Sequence, residues 1–317
     1  GAARACAVSN CTVALQMALA ECGVGPGDVV LTVSHSFIAT ANAVRAVGAE
    51  PVFVDIDPDT LNMDPKALAR VIEREFEATE QGLRYVDATR FAVPGSLFER
   101  LREPYGRLGA VLAVHQLGMP ADLAGLLAVA GRHGVPLIED AACACGSALS
   151  LDGGATWEPV GKPHGRTACF SFHPRKIVTT GDGGMLTYTD AGADAQFRLL
   201  RQHGMSLSDA ARHGAGKVVF EDYLVAGFNY RMTDIQAAVG VEQLKRLPEM
   251  VSRRRDLARL YGQALAALPG VSLQREPEWA RTNWQSYFIR IEDAALQVPE
   301  MQELLDKGVG TRRGVMC

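Results

Sequence analysis

Several protein classes are excluded by what this sequence has little of. Its 317 residues contain seven cysteines, an odd number, and no C-x-x-C pair. Scattered thiols in apolar contexts fit reduced side chains in a cytoplasm better than a disulfide framework or a zinc clasp. Cys143 and Cys145, two positions apart, read as small buried residues before they read as ligands. The net charge is −4 and no basic block occurs, which argues against nucleic acid as a partner. No apolar run approaches the ~18 residues of a membrane helix. The opening residues lack a basic stretch followed by an apolar one, so no secretory leader is expected. No internal repeat and no low-complexity tract is found. No G-x-G-x-x-G follows the first strand pattern, which counts against a dinucleotide-binding dehydrogenase.

The composition that remains is globular: 48% hydrophobic and 21% charged residues. A run of Val29–Val33, a helical pattern ending at Val47 and a second run Pro51-Val-Phe-Val-Asp55 give a strand–helix–strand rhythm typical of parallel βαβ units. The spacing predicts an amphipathic helix over 65–77 and strands at 110–114 and 136–140. Helices are expected at 123–133, 191–202, 235–247 and 248–268. Further on, a strand near 287–291 and a helix at 299–305 open a smaller second domain. The stretch 79–107 has mixed charge and weak periodicity and reads as an insertion or flap. The stretch 207–221 reads as a polar loop. The charges of Arg253-Arg-Arg255 are expected on a solvated helix face.

Three places carry candidate chemistry. Ser9-Asn-Cys-Thr12 precedes an apolar helical pattern, so Ser9 or Asn10 is an N-cap and Cys11 and Thr12 offer amides at a helix start. Such a terminus is an anion site, or a plain cap. Asp140 ends a strand, where ligands of open parallel sheets bind, and Glu139 should point to the opposite face. Asp140 could equally cap the next helix. Lys176 follows the apolar run Cys169 to Phe172 and precedes the turn Gly181-Asp-Gly-Gly184. Desolvation between two strands would lower its pKa and make the amine a nucleophile toward a carbonyl. The alternative is an ordinary surface lysine. His35, His173 and His203 are candidates for substrate contact or for structural roles.

Taken together, these stretches resemble the DegT/DnrJ/EryC1/StrS sugar aminotransferases, within the fold-type-I enzymes that use pyridoxal 5'-phosphate (PLP). The resemblance rests on Ser9-Asn-Cys-Thr-Val-Ala-Leu15, Gly25-Pro-Gly-Asp28, Ser36-Phe-Ile-Ala-Thr-Ala-Asn42 and Pro51-Val-Phe-Val-Asp-Ile-Asp57. It continues through Ile138-Glu-Asp-Ala-Ala142, Phe170-Ser-Phe-His-Pro-Arg-Lys176, Gly181-Asp-Gly-Gly184 and Phe228-Asn-Tyr-Arg-Met-Thr-Asp234. It implies a mostly parallel central sheet in a three-layer α/β/α large domain, over 1–247, with a linking helix and a smaller, truncated α+β C-terminal domain over 248–317. It also implies that the family's opening segment lies outside this chain.

The same resemblance implies site roles. Lys176 would carry PLP as a Schiff base and shuttle a proton, and Asp140 would pair with the pyridine nitrogen. Cys11, Thr12 and Ser171 would hold the phosphate, and Asn229 would reach it from the partner of a homodimer with shared active sites. Phe37 would cover the ring face. Cys143 stands where a glutamine or histidine commonly contacts the ring hydroxyl, and Cys11 stands where the family often has glycine. Each role has a plainer alternative: Ser171 a strand hydroxyl, Asn229 a turn former, Phe37 core. The implied reaction moves an amino group from an amino acid, L-glutamate, to a keto group of a nucleotide-linked sugar. A cyclitol ketone is a second possible acceptor, and an idle PLP-binding homologue with a regulatory or structural role is the alternative from another class. A related dehydratase has histidine in place of the lysine, and Lys176 argues against it.

Overall fold

Apolar residues on alternate strand positions feed two separate cores, one on each face of a central sheet, and helices close both. The computed structural model describes residues 1–314 except 95, 97, 102–104, 208–215 and 217. The sheet has seven strands: β1 (Arg4–Val8), β2 (Val29–Val33), β3 (Glu50–Val54), β4 (Leu108–Val114), β5 (Leu137–Asp140), β6 (Thr167–Ser171) and β7 (Gly184–Tyr188). Their spatial order is β1-β7-β6-β5-β4-β2-β3. The run from β6 through β5, β4 and β2 to β3 is parallel, and β7 runs antiparallel to both its neighbours.

Strands buried on both faces need no polar alternation, which explains the near-continuous apolar runs of β2 and β4. Val29, Leu31 and Val33 face one core, shared with α3 (Pro65–Glu75) and α4 (Leu123–Arg132). Val30, Ala110, Leu112 and Ile138 face the other, shared with α1 (Cys11–Glu21), α2 (Ala39–Ala46) and α5 (Ala191–Leu200). This is the expected three-layer α/β/α arrangement. Truncating a fully buried core residue such as Leu112 would cost about 2–5 kcal/mol. Helices begin where the sequence supplies caps: Asn10 for α1, Asp64 before Pro65 for α3 and Asp122 for α4.

One local expectation needs correcting. The helix expected over 65–77 ends at Glu75, because Phe76–Thr79 turns back to pair with Gly82–Tyr85. The stretch 79–107, expected as an insertion or flap, is anchored by aromatic rings. Phe76, Tyr85, Phe91, Phe98 and Tyr105 follow one another at centroid spacings of 5.2–5.6 Å. Tyr85 and Phe98 are almost fully buried. Isolated aromatics gave no period to read along the chain, yet they form one ladder in space.

Past the sheet, α6 (Asp234–Lys245) and α7 (Leu247–Leu265) match the expected helices to within three residues. Val271–Leu273 pairs with Ile289–Ile291, and α8 (Gln297–Asp306) follows. Most of the loop expected at 207–221 lies outside the described residues. Among the described residues, no helix is long and apolar enough to cross a membrane.

Candidate active site

Parallel strands bring their carboxyl ends to one edge of a sheet, and three of the candidate groups meet there. Asp140 closes β5 and is paired in register with Cys169 of β6, so the loop after β6 starts beside it. That loop ties itself down: Phe172 donates to Gly183 O, Thr180 donates back to Phe172 O, and Lys176 N donates to His173 O. A half-buried Lys176 is thereby turned toward the loop after β5. Its Nζ lies 3.0 Å from Cys143 Sγ.

The charge environment differs from the expected one. Burial does lower the Lys176 amine, but the sulfur of Cys143 and the carboxylate of Asp140 outweigh it and hold the amine above its ordinary value. The shift therefore runs opposite to the one desolvation alone would give. Asp140 is buried, and burial raises its carboxyl, with Ala142 N, Thr40 and Lys176 opposing. Thr40 Oγ1 donates to Asp140 Oδ2 at 2.8 Å, and Ala142 N donates to Oδ1 at 3.1 Å. Ser36 Oγ adjoins Thr40 Oγ1 at 2.7 Å, which orients that hydroxyl.

Glu139 points to the opposite face, as strand alternation requires. His115 Nδ1 accepts from Ala121 N, which leaves the proton on Nε2, 3.2 Å from Glu139 Oε2. The other carboxylate oxygen accepts from His164 N and Gly165 N. Burial would raise this carboxyl, but the three donors prevail and hold it below its ordinary value.

The helix start expected at Ser9–Thr12 is capped by Asn10, whose side chain accepts from Val13 N at 3.1 Å. Cys11 and Thr12 precede the first intrahelical bond, so their amides are the free donors of α1. Gly184 fits against this turn. A Cβ there would lie 2.4 Å from Asn10 C and 2.8 Å from Cys11 N. Because Gly184 is paired with Ser171 in the β6–β7 register, the Ser171 strand end lies beside the same helix start. Ser171 is buried, and its Oγ accepts from His173 N.

The remaining candidates stand apart from this cluster. Phe37 follows Ser36 but is 58% exposed, so it is not a core residue. Asn229 is exposed on a segment tied by its backbone to Gln202. Of the histidines, His35 Nδ1 meets Gln116 Nε2, and His173 Nδ1 accepts from Arg175 N within the lysine turn. His203 takes a positive φ in the turn after α5. Sequence reasoning missed Thr40 as a partner of Asp140 and Ser36 as the partner of Thr40. Their i, i+4 spacing at the start of α2 was a usable signal. It also missed Asn283 and Gln285, whose links to the site span more than a hundred residues. No local pattern announces those.

A buried carboxylate, an amine on the neighbouring strand's loop and a helix N-terminus beside a serine suit one kind of group. It carries a phosphate, a basic ring nitrogen and an aldehyde, and PLP has all three. An α/β/α fold holding that donor set fits a fold-type-I PLP-dependent enzyme, and the family match fixes which class.

The chain belongs to the DegT/DnrJ/EryC1/StrS aminotransferase family, whose model matches residues 1–313. Among solved structures, it is similar to the aminotransferase TlmJ from Streptoalloteichus hindustanus, with 32% identity and a TM-score of 0.77 over 98% of this chain and 72% of that one. It is also similar to DesV of S. venezuelae, solved in complex with a ketimine intermediate. That match has 30% identity and a TM-score of 0.75, over 96% of this chain and 67% of that one. The sugar aminotransferase CalS13 from Micromonospora echinospora matches at 27% identity and a TM-score of 0.77, over 98% of this chain and 74% of that one.

Proposed function

We propose that this aminotransferase moves the amino group of an amino acid, L-glutamate, to a keto group of a nucleotide-linked sugar. The observation that carries the catalytic reading is the placement of Lys176, Cys143 and Asp140 at adjoining strand ends, with Nζ 3.0 Å from Sγ. The sugar acceptor is supported by the sugar aminotransferase CalS13 among its structural neighbours.

PLP, when bound, supplies an aldehyde that joins amines and a ring that takes up electrons. Lys176 would hold it, and Nζ would carry a proton to and from the donor's α-carbon. Asp140 would keep a proton on the ring nitrogen. Burial raises its carboxyl, and a cationic ring nitrogen beside it would oppose that shift. Cys11 and Thr12 amides and the Ser171 hydroxyl would hold the phosphate. Cys143 would meet the ring hydroxyl, and Phe37 would cover the ring.

Asn229 completes the phosphate site from the partner of a homodimer. Support comes from the apolar side chains left exposed around and beyond it, including Phe220, Tyr223, Phe228, Ile235 and Val241. Exposure on this scale in one region marks an interface. The large domain spans 1–247 and the linking helix and small domain 248–317, in a cytoplasmic enzyme.

The test is the visible absorption of the protein with PLP, before and after L-glutamate. We expect a band that Lys176→Ala lacks and that glutamate bleaches. A band indifferent to every amino donor would point to an idle homologue, and no band would reject the assignment of Lys176.

A further inference from the structure

The segment Thr282-Asn283-Trp284-Gln285-Ser286 lies more than a hundred residues beyond Lys176, yet it grips both loops of the site. Asn283 is fully buried, and its Nδ2 donates to Cys143 O at 2.9 Å and Cys145 O at 2.8 Å. Its backbone N donates to Ser147 Oγ, and its Oδ1 accepts from Gln285 N. Gln285 then takes the lysine loop. Its Oε1 accepts from Ile177 N at 2.8 Å, and its Nε2 donates to Arg175 O at 2.8 Å. A primary amide thus satisfies the backbone groups on both sides of Lys176 at once.

The backbone between these two residues is strained. Trp284 has φ 52°, a left-handed conformation that bulky residues avoid and that persists only when its surroundings enforce it. The enforcement comes from α7. Arg254 Nη1 donates to Trp284 O and Gln285 O, and Arg255 Nε donates to Thr282 O. On the other side Ser286 N donates to Leu117 O. Gly118 admits the segment, since a Cβ there would lie 2.1 Å from Asn283 Oδ1.

We infer that Gln285 is a positioning residue for Lys176, and that with Asn283 it fixes the distance between the lysine loop and the Asp140–Cys145 loop. A segment that only tied the chain's later part to the sheet would not need both amide groups of one glutamine on the residues flanking a single lysine. The inference rests on Lys176 being the group that takes the cofactor.

Two variants test it. Gln285→Met keeps the length of the side chain and removes both hydrogen bonds. Gln285→Glu, when protonated, offers a donor and an acceptor as glutamine does, and loses the donor once ionised. Hydrogen–deuterium exchange of the whole chain without PLP reads peptides covering 172–180 and, as control, 108–114. The affinity for PLP is read in parallel by the visible band. For Gln285→Met we expect about tenfold faster exchange in 172–180, no change in 108–114 and about tenfold weaker PLP binding. Gln285→Glu should match the parent protein in acid and Gln285→Met in alkali. Parent-like exchange and affinity in Gln285→Met would overturn the inference. So would faster exchange in 108–114 as well, because Gln285 would then be holding the fold at large. If the parent protein itself forms no band, the role of Lys176 fails, and the exchange data still decide whether Gln285 orders its loop.

Discussion

Glu139 and Asp140 are neighbours on one strand, both buried carboxyls, and their environments push them in opposite directions. Glu139 meets three N–H donors and is held below the ordinary carboxylate range. Asp140 meets fewer, and burial lifts it above that range. Each oxygen of both carboxylates accepts a bond from the chain, but Glu139 has three N–H partners and Asp140 one N–H and one hydroxyl. The Asp140 face is left short of positive charge, which a bound cationic ring would supply. Two acids of similar strength are driven in opposite directions through their partners alone, and the proposed function gives Asp140 the role of cofactor ligand.

The largest effect should come from the Asp140 face. Lys176→Ala should lower transamination by at least about 10³-fold, measured as product formed per folded protein, with the melting temperature nearly unchanged. Asp140→Asn should come next, lowering kcat/KM by about 10²–10³-fold. It should also raise the stability of the cofactor-free protein by up to ~1 kcal/mol, since an unfavourably buried acid is removed. A fall in stability together with intact activity would reverse the comparison.

Glu139→Gln should show the opposite profile. Its amide would set a donor against a donor at His164 N or Gly165 N, or at His115 Nε2. We expect a loss of about 1–3 kcal/mol in denaturant titrations, with activity per folded molecule retained. The pH dependence separates the two acids further. Glu139, depressed in the folded state, contributes stability above its unfolded pKa that is lost as pH falls through the folded value. Asp140, raised in the folded state, makes stability fall as pH rises from its unfolded value to its folded one. Glu139→Gln should therefore flatten the acid limb of stability against pH, and Asp140→Asn should remove the decline above it. Thr40→Val is the mildest case. Removing one hydroxyl bonded to Asp140 should lower kcat about tenfold and leave stability within ~1 kcal/mol.

Much of this was legible along the chain. The βαβ rhythm predicted the parallel sheet, because strand and helix periods are local properties. Asp140 at a strand end, Asn10 as a cap with Cys11 and Thr12 behind it, and Ser171 and Lys176 on one strand–loop unit are also local, and these placements came out as expected, while the shift of the Lys176 amine runs the other way. The exposed positions of Phe37 and Asn229 show where a single chain stops deciding.

What the sequence by itself determined is the order of strands, helices and caps that carry the candidate groups, since periodicity and capping act within a few residues. Only the tertiary structure decided how those groups are poised. The 3.0 Å approach of Lys176 to Cys143 reverses the shift that burial alone would give the amine. Burial and partners also set Glu139 and Asp140 apart, and the amides of Asn283 and Gln285 reach the site from more than a hundred residues along the chain. Electrostatics and hydrogen bonds depend on distance in space, and strand register and helix packing set that distance.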